Sequence, residues 1–239
     1  MPVPIYTSVC THKSLLAPNV YELRFSKPDN LTFKAGQFLL WDVPLPDNPK
    51  DIQPRAYSIA SAPADTDLLF CIKLKEGGRA SVWIDRQLKA GDRVVMKGPF
   101  GNFTVDPASE KKLVLMATGA GVAPFHAHVK WLLNDQKSQR QVYLFFGARH
   151  PQDFFWMDEF RELARLHPQF HFHACLSGAD VNWSGDRGHV QDVAQKKLQE
   201  FSDASLYICG APAMVADIKK LALEHWKVAK ADLHVEGYV

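Results

Sequence analysis

The chain has 239 residues, of which 46% are hydrophobic and 23% charged, and its formal net charge is +2. That length is generous for one domain and comfortable for two, and a chain of this size buries roughly 70–75% of its extended surface without a disulfide or metal staple. The near-neutral balance gives no wholesale electrostatic case for nucleic acid or a membrane surface, and no apolar run approaches the ~18 residues of a membrane span.

The first residues, Met1-Pro2-Val3-Pro4-Ile5, lack the charged start and apolar run of a signal peptide. The expected compartment is therefore the cytoplasm. Residues 20–25, 37–43 and 68–74 alternate between apolar and polar side chains and predict strands. Turn signals separate them at Lys27-Pro28-Asp29-Asn30, Lys34-Ala35-Gly36, residues 44–54 and Ala90-Gly91-Asp92. One helix is predicted over residues 80–87, directly after Gly77-Gly78, and Gly98-Pro99-Phe100-Gly101 reads as a closing tight turn. Short strands at this spacing predict an antiparallel barrel or sandwich.

Within this region Arg55-Ala56-Tyr57-Ser58 places a permanent cation and an aromatic ring two residues apart, so an extended strand projects both to one face. Such a face suits a ligand with a fused ring and a phosphate tail. An ordinary half-exposed strand with an Arg–Tyr contact is the alternative. Gly77-Gly78-Arg79-Ala80-Ser81 is a glycine-to-helix transition whose free N–H groups could receive a phosphate, with Arg79 adding charge.

Near Asp106-Pro107-Ala108-Ser109 the pattern changes, and the domain boundary is predicted there, between residues 1–106 and 107–239. Strands are expected at 113–117, 142–146, 170–176 and 206–209, and helices at 122–134, 154–166, 190–199 and 213–226. Alternation of this kind predicts a parallel sheet with helices on both faces. The predicted fold class is thus two-domain: an N-terminal antiparallel β-barrel followed by a C-terminal α/β nucleotide-binding domain.

Thr118-Gly119-Ala120-Gly121-Val122-Ala123-Pro124 lies at the first strand-to-helix turn of this half, where a backbone can approach a pyrophosphate. Pro124 stands where the dinucleotide fingerprint has its last glycine, and the next strand ends in Gly147-Ala148-Arg149 rather than an acidic residue. A standard NAD half-domain is therefore disfavoured, and a purely structural turn is the other reading. Cys209-Gly210-Ala211-Pro212-Ala213-Met214 is a further strand-to-helix turn, at the sheet edge where open α/β folds bind ligands. A buried structural cysteine is the commoner fate of Cys209.

Taken together and in order, these stretches resemble the ferredoxin–NADP reductase family. Arg55-Ala56-Tyr57-Ser58 is similar to its RxYS flavin motif, Gly78-Arg79-Ala80-Ser81 to its flavin-pyrophosphate turn and Gly98-Pro99-Phe100-Gly101 to its domain-closing turn. Thr118 to Pro124 resembles its GxGxxP motif, Cys209-Gly210 to Met214 its CGxxxM motif and Glu236-Gly237-Tyr238 its acid-x-aromatic ending. The resemblance implies an FAD cofactor and NAD(P)H as electron donor. It implies that Tyr57 packs on the isoalloxazine and Ser58 lies near flavin N5. Arg55 and the turn of Gly78, Arg79, Ala80 and Ser81 would hold the pyrophosphate, and Lys73 would line the flavin. Thr118, Gly119, Gly121, Pro124, Gly210, Met214 and Arg149 fall to the nicotinamide nucleotide, with Thr118 and Cys209 flanking its ring. Tyr238 would cover the other flavin face, and Glu236 would be a polar or proton-relay group, or a plain surface carboxylate. The catalytic set implied is Ser58, Cys209, Glu236 and Tyr238. The task of the site is to bring nicotinamide C4 to about 3–3.5 Å from flavin N5.

Departures from the family pattern sharpen the reading. Val239 follows Tyr238, so the covering aromatic is not terminal. Leu176-Ser177-Gly178-Ala179 stands where NADPH-selective relatives carry a Ser-Arg pair, which leaves NADH and NADPH open, with a lean to NADH and with Arg149 or Arg187 as substitutes. No cluster domain is expected, because Cys10, Cys71, Cys175 and Cys209 have no ligand spacing, so the electron acceptor is expected to be separate: ferredoxin, flavodoxin or an oxygenase component. No metal site is expected; His171 and His173 share a strand face without a third ligand, and His126 and His128 do not share a helix face. Phe154-Phe155-Trp156 reads as a packing cluster, and the paired lysines 111–112, 196–197 and 219–220 as solvated ends. The alternatives to an FAD-dependent reductase are a flavin reductase using free flavin as substrate and a non-catalytic subunit of a larger redox complex.

Overall fold

A computed structural model describes residues 2–45 and 47–238. They fall into two compact units, the described residues up to Val105 together with His126–Trp131, and Asp106–Phe125 together with the described residues from Leu132 onward.

The first unit holds a six-stranded antiparallel sheet in the order β4-β3-β6-β1-β2-β5, with β1 Ile5–Ala17, β2 Val20–Ser26, β3 Phe38–Leu45, β4 Asn48–Ser58, β5 Asp67–Lys73 and β6 Arg93–Phe100. The two outer strands, β4 and β5, approach within 8 Å, so the sheet rolls up as a barrel does. Three fully buried aromatics fill it: Trp41 meets Phe25 at 4.8 Å and Phe70 at 4.7 Å between ring centroids, both edge to face. Helix α1, Arg79–Arg86, buries Trp83 and Ile84 against this core.

Several strands differ from the sequence expectation. The proline-rich stretch read as a turn, residues 44–54, is instead the heart of a hairpin: β3 runs through Leu45 and β4 takes over at Asn48, with Pro44 opposite Ile52. Prolines are tolerated because β4 is an edge strand, where a missing N–H breaks no second ladder. Strand β1 escapes the pattern because its pairing shifts between Cys10 and His12 and again between Leu15 and Ala17, which breaks the alternation. Gly98-Pro99-Phe100 ends strand β6 rather than making a separate turn. The helix read at 80–87 begins one residue earlier, at Arg79.

His126 and His128, from helix α2 (Ala123–Lys130), are buried in the same unit. His126 Nδ1 shares a 2.6 Å hydrogen bond with the Ala60 carbonyl, and His128 Nε2 a 2.9 Å bond with the Phe103 carbonyl.

The second unit holds a parallel sheet in the order β10-β9-β8-β7-β11-β12. Its strands are β7 Lys112–Thr118, β8 Val142–Ala148, β9 Phe170–Leu176, β10 Asp186–Arg187, β11 Ala204–Gly210 and β12 Leu233–Gly237. Strands β7 and β11 are buried at nearly every position and read as apolar runs, as strands covered on both faces should. The helices are α3 Met157–Leu166, α4 Val190–Leu198 and α5 Pro212–Glu224.

The helix read at 122–134 is shorter: a 3₁₀ turn at Gly119–Val122 precedes α2, and a π turn at Trp131–Asp135 follows it. The helix read from 154 starts at Met157 instead, and Phe154 stacks flat on Trp183, 5.0 Å between centroids. The helix read to 226 ends at Glu224. Strands β10 and β12 are additions, too short and polar to stand out in the sequence. The histidines of β9 form separate contacts, His171 with Gln141 and His173 with Asp186, each at 2.9 Å.

Because Trp41 touches three aromatic neighbours and has no exposed surface, Trp41→Ala should destabilise the first unit by about 3–5 kcal/mol, measured as a lowered urea midpoint at unchanged slope.

Candidate functional site

Each unit carries one cluster of the expected site residues. In the first unit, register sets the pieces: Leu39 lies opposite Tyr57 and Trp41 opposite Arg55. Along β4 the half-buried positions are Asp51, Gln53, Arg55 and Tyr57, so the period of two puts these side chains on one face. Tyr57 meets Trp41 edge to face at 4.7 Å. Burial pushes its phenol up to about 12, with the Arg55 charge opposing only in part, so the ring stays neutral across the physiological range. Arg55 is steered by its own strand: Nη2 donates to Gln53 Oε1 at 2.9 Å and Nη1 to the Pro54 carbonyl at 2.8 Å.

The chain beyond Tyr57 is pinned. Ser58 is buried, the Ile59 N–H donates to the Gln37 carbonyl, and the Ala60 N–H donates to the Leu69 carbonyl. Lys73 is exposed at the end of β5, opposite Val20. From there the turn folds on itself: the Gly78 N–H donates to the Lys75 carbonyl at 3.0 Å, and Ser81 Oγ accepts from the Lys75 N–H at 2.7 Å. Gly78 is the N-cap of α1 and supplies no side-chain cap, which leaves the amides of Arg79, Ala80 and Ser81 directed out of the helix start. A neutral ring, a flexible cation and an uncapped helix start carrying a second cation suit a flavin ring and its diphosphate, so these residues fit an FAD. Arg79, however, is engaged: Nη1 and Nη2 fork onto Asp51 Oδ1 and Oδ2 at 3.1 and 3.0 Å. Sequence reasoning missed Asp51 because it lay in the supposed turn; the alternation of β4 was the available signal.

In the second unit the chain runs outward from β7 through β8 and β9 to β10, then crosses back to place β11 on the other side of β7. The gap between the carboxyl ends of β7 and β11 is therefore the switch point where open α/β sheets bind ligands. Thr118 ends β7 and Cys209-Gly210 ends β11. Gly121 packs so closely that a Cβ there would lie 2.4 Å from the Cys209 carbonyl oxygen, so no larger residue fits. Gly119 has φ +53° with open space around it, room in which a diphosphate can approach the backbone. Pro124 is the second residue of α2, directly after the 3₁₀ turn Gly119–Val122, so the fingerprint's last glycine position is taken by a residue whose fixed φ suits a helix.

Thr118 Oγ1 accepts from the Ala211 N–H at 3.2 Å, tying the two turns together, and Met214 closes over Gly210. Strand β12 adds the last members: Glu236 lies opposite Cys209, Gly237 opposite Gly210, and the Tyr238 N–H donates to the Gly210 carbonyl at 2.9 Å. Burial pushes the Cys209 thiol well up and the Glu236 charge pushes it further, while a side-chain hydrogen bond from Tyr238 opposes. Burial also raises the Glu236 carboxyl, whose Oε2 has no hydrogen-bond partner among the described residues. Thr118, Cys209, Glu236 and Tyr238 thus gather at one edge, and the cradle fits a dinucleotide. Val239 lies outside the described residues. Arg149 is exposed just past the end of β8, the strand next to β7, whereas Arg187 is exposed on β10, three strands from β7, where its Nη2 donates to the Trp183 carbonyl at 2.8 Å.

Comparison with known proteins gives the same division. Residues 8–105 match the oxidoreductase FAD-binding domain and residues 115–220 the oxidoreductase NAD-binding domain. The chain is 34% identical over 232 residues to ferredoxin–NADP reductase B of Sorangium cellulosum, covering 93% of each. It is 31% identical to the reductase component of phenol 2-monooxygenase from a Pseudomonas, where it spans 99% of its own length but 66% of that relative. Among solved structures it overlays the Amycolatopsis cytochrome P450 reductase GcoB with a TM-score of 0.88 at 28% identity, covering 99% of this chain and 70% of that one.

Two outcomes test the second cluster. Gly121→Ala forces the 3₁₀ turn away from Cys209 and should weaken nicotinamide-nucleotide binding at least about tenfold, read by titration, with a lowered melting temperature. The raised carboxyl of Glu236 means that the folded unit keeps a proton the unfolded chain has lost, so stability falls as pH rises from the ordinary carboxyl range through the raised value. Glu236→Gln should therefore melt above the wild type at pH 7 and level with it near pH 3.5.

Proposed function

The chain belongs to the ferredoxin–NADP reductase family, and from that premise we propose that it is an FAD-dependent NAD(P)H oxidoreductase that takes a hydride from nicotinamide at flavin N5 and passes electrons to a separate protein acceptor. The observation that carries this reading is the pairing of a ring-and-cation strand with an uncapped helix start in one unit and a Gly121-tight switch-point turn in the other. When bound, the flavin supplies the exchange between two-electron and one-electron chemistry; the side chains supply position and charge.

In this proposal residues 1–106 form the FAD-binding module and 107–239 the NAD(P)-binding module. Tyr57 offers its neutral ring to the isoalloxazine, and Ser58 places a hydroxyl beside it. Arg55, with Gly78, Arg79, Ala80 and Ser81, takes the diphosphate, and Lys73 lines the ring. Gly119, Gly121 and Pro124 shape the nucleotide turn, with Gly210, Met214 and Arg149 contributing to the same ligand. Thr118 and Cys209 border the nicotinamide. Cys209 serves there as an uncharged packing group, since burial disfavours its thiolate. Glu236, biased toward its protonated form, can hold a proton at the edge where Tyr238 lies. Ferredoxin, flavodoxin or an oxygenase component are the acceptor classes proposed. NADH is the favoured donor, because Gly178 follows Ser177 and its Cβ position is filled by the Arg149 carbonyl, 2.0 Å away, so no side chain can fork onto a 2′-phosphate from there.

A second reading, a reductase that exchanges flavin as a substrate, is favoured by one feature: the cation of the diphosphate turn, Arg79, is already neutralised by Asp51. Anaerobic mixing with NADH or NADPH should bleach a yellow protein, followed by an acceptor screen; a colourless protein that oxidises neither nucleotide overturns the proposal. Tyr57→Ala should lower flavin retention and slow reduction together, whereas Arg55→Ala should cost mainly affinity, about tenfold for one charge-assisted contact. Desalting then separates a retained flavin from an exchanging one.

A further inference from the structure

We infer that Asp51 is an internal competitor for the diphosphate of the flavin and sets how tightly this chain holds FAD. The inference rests on the flavoprotein reading above and deepens it by naming a residue that decides between a held and an exchanged flavin. Arg79 opens helix α1, where the N-cap Gly78 leaves the first amides uncapped. These groups and the guanidinium are the diphosphate-binding chemistry of the first unit.

The same guanidinium is forked by a carboxylate. Nη1 donates to Asp51 Oδ1 at 3.1 Å and to the Asp51 carbonyl at 3.3 Å, and Nη2 donates to Oδ2 at 3.0 Å. A phosphate would use the same two-pronged geometry, so carboxylate and phosphate draw on one set of donors. The charge count points the same way. Arg79 with Asp51 is neutral, which leaves Arg55 as the uncompensated cation among the described residues of this β4 face, with hydrogen bonds running to the neutral Gln53 side chain and a carbonyl. Arg79 holds the Asp51 carboxyl below its usual range, so Asp51 is ionised and competes at every working pH.

The two partners differ in freedom. The Arg79 side chain is 15% exposed and the Asp51 side chain 42%. Asp51 also stands on the edge strand β4, which pairs with β3 alone. The partner free to give way is therefore the carboxylate, and an ion pair with so exposed a member is weak enough for a diphosphate to displace. Displacement carries a cost that Asp51→Asn removes, because the amide keeps the size and loses the charge.

The test is fluorescence titration of the full chain, stripped of flavin, with FAD and with riboflavin, which lacks the diphosphate. Asp51→Asn should tighten FAD roughly fivefold and leave riboflavin unchanged, and in an Arg79→Ala background the same substitution should do nothing, the signature of one shared partner. Asp51→Ser serves as the second variant, and a thermal melt of each flavin-free protein checks that it folds. Unchanged or weaker FAD binding in both Asp51 variants overturns the inference, and so does an equal shift for riboflavin or a shift that survives without Arg79. A wild-type chain that binds neither flavin would instead overturn the flavoprotein reading.

Discussion

The second unit depends on one close approach. Gly121, in the turn after β7, lies against the backbone of Cys209 and Gly210 at the end of β11, with no room for a Cβ. Those two strands are adjacent in space and about ninety residues apart in sequence, because the order of the sheet reverses between them. The contact brings two strand ends and two helix starts to one place, and everything that could recognise a dinucleotide follows from it. Gly119 is left in open space beside α2, Thr118 reaches the Ala211 amide, and β12 can add Glu236 next to Cys209. A side chain at Gly121 would run into the Cys209 carbonyl and the Gly210 Cα, push the two turns apart and dissolve the crevice.

The first unit solves a different problem, which is to present a flat neutral ring beside charge. Tyr57 can do so because Trp41 stands behind it, and Trp41 can stand there because Phe25 and Phe70 fill the space around it. The ring is therefore fixed by packing rather than by its hydroxyl. Arg55 is held loosely, through one side-chain bond and one bond to its neighbouring carbonyl, and so remains able to reorient. Rigid aromatic and adjustable cation on one strand face are a division of labour that the period of two makes possible.

What could be read from the sequence follows the range of the signal. Strands 20–25, 68–74 and 113–117 were legible because alternation or unbroken apolar character is local, and the glycine turns because strand, glycine and helix are adjacent. Strand β4 was not: Pro49 and Pro54 argue against a strand unless it is known to be an edge, and edge position is a property of the sheet. Strand β12 has five residues and acquires its identity from β11, and β1 loses its alternation at two register shifts. At the sites, residue types and their order were readable, but Asp51 and Arg79 are 28 positions apart and only the hairpin and α1 bring them together.

That pair shows why a motif alone does not settle affinity. Two chains with the same Gly-Arg-Ala-Ser turn offer a diphosphate the same amides and the same guanidinium, yet the free energy gained depends on what the guanidinium must leave. An arginine facing water exchanges hydration for phosphate; Arg79 exchanges a forked carboxylate, whose own charge then remains close by and unpaired. In the proposed flavoprotein, affinity for the flavin tail would therefore depend on a residue outside every recognisable motif, through whether the Asp51 carboxylate turns away into solvent.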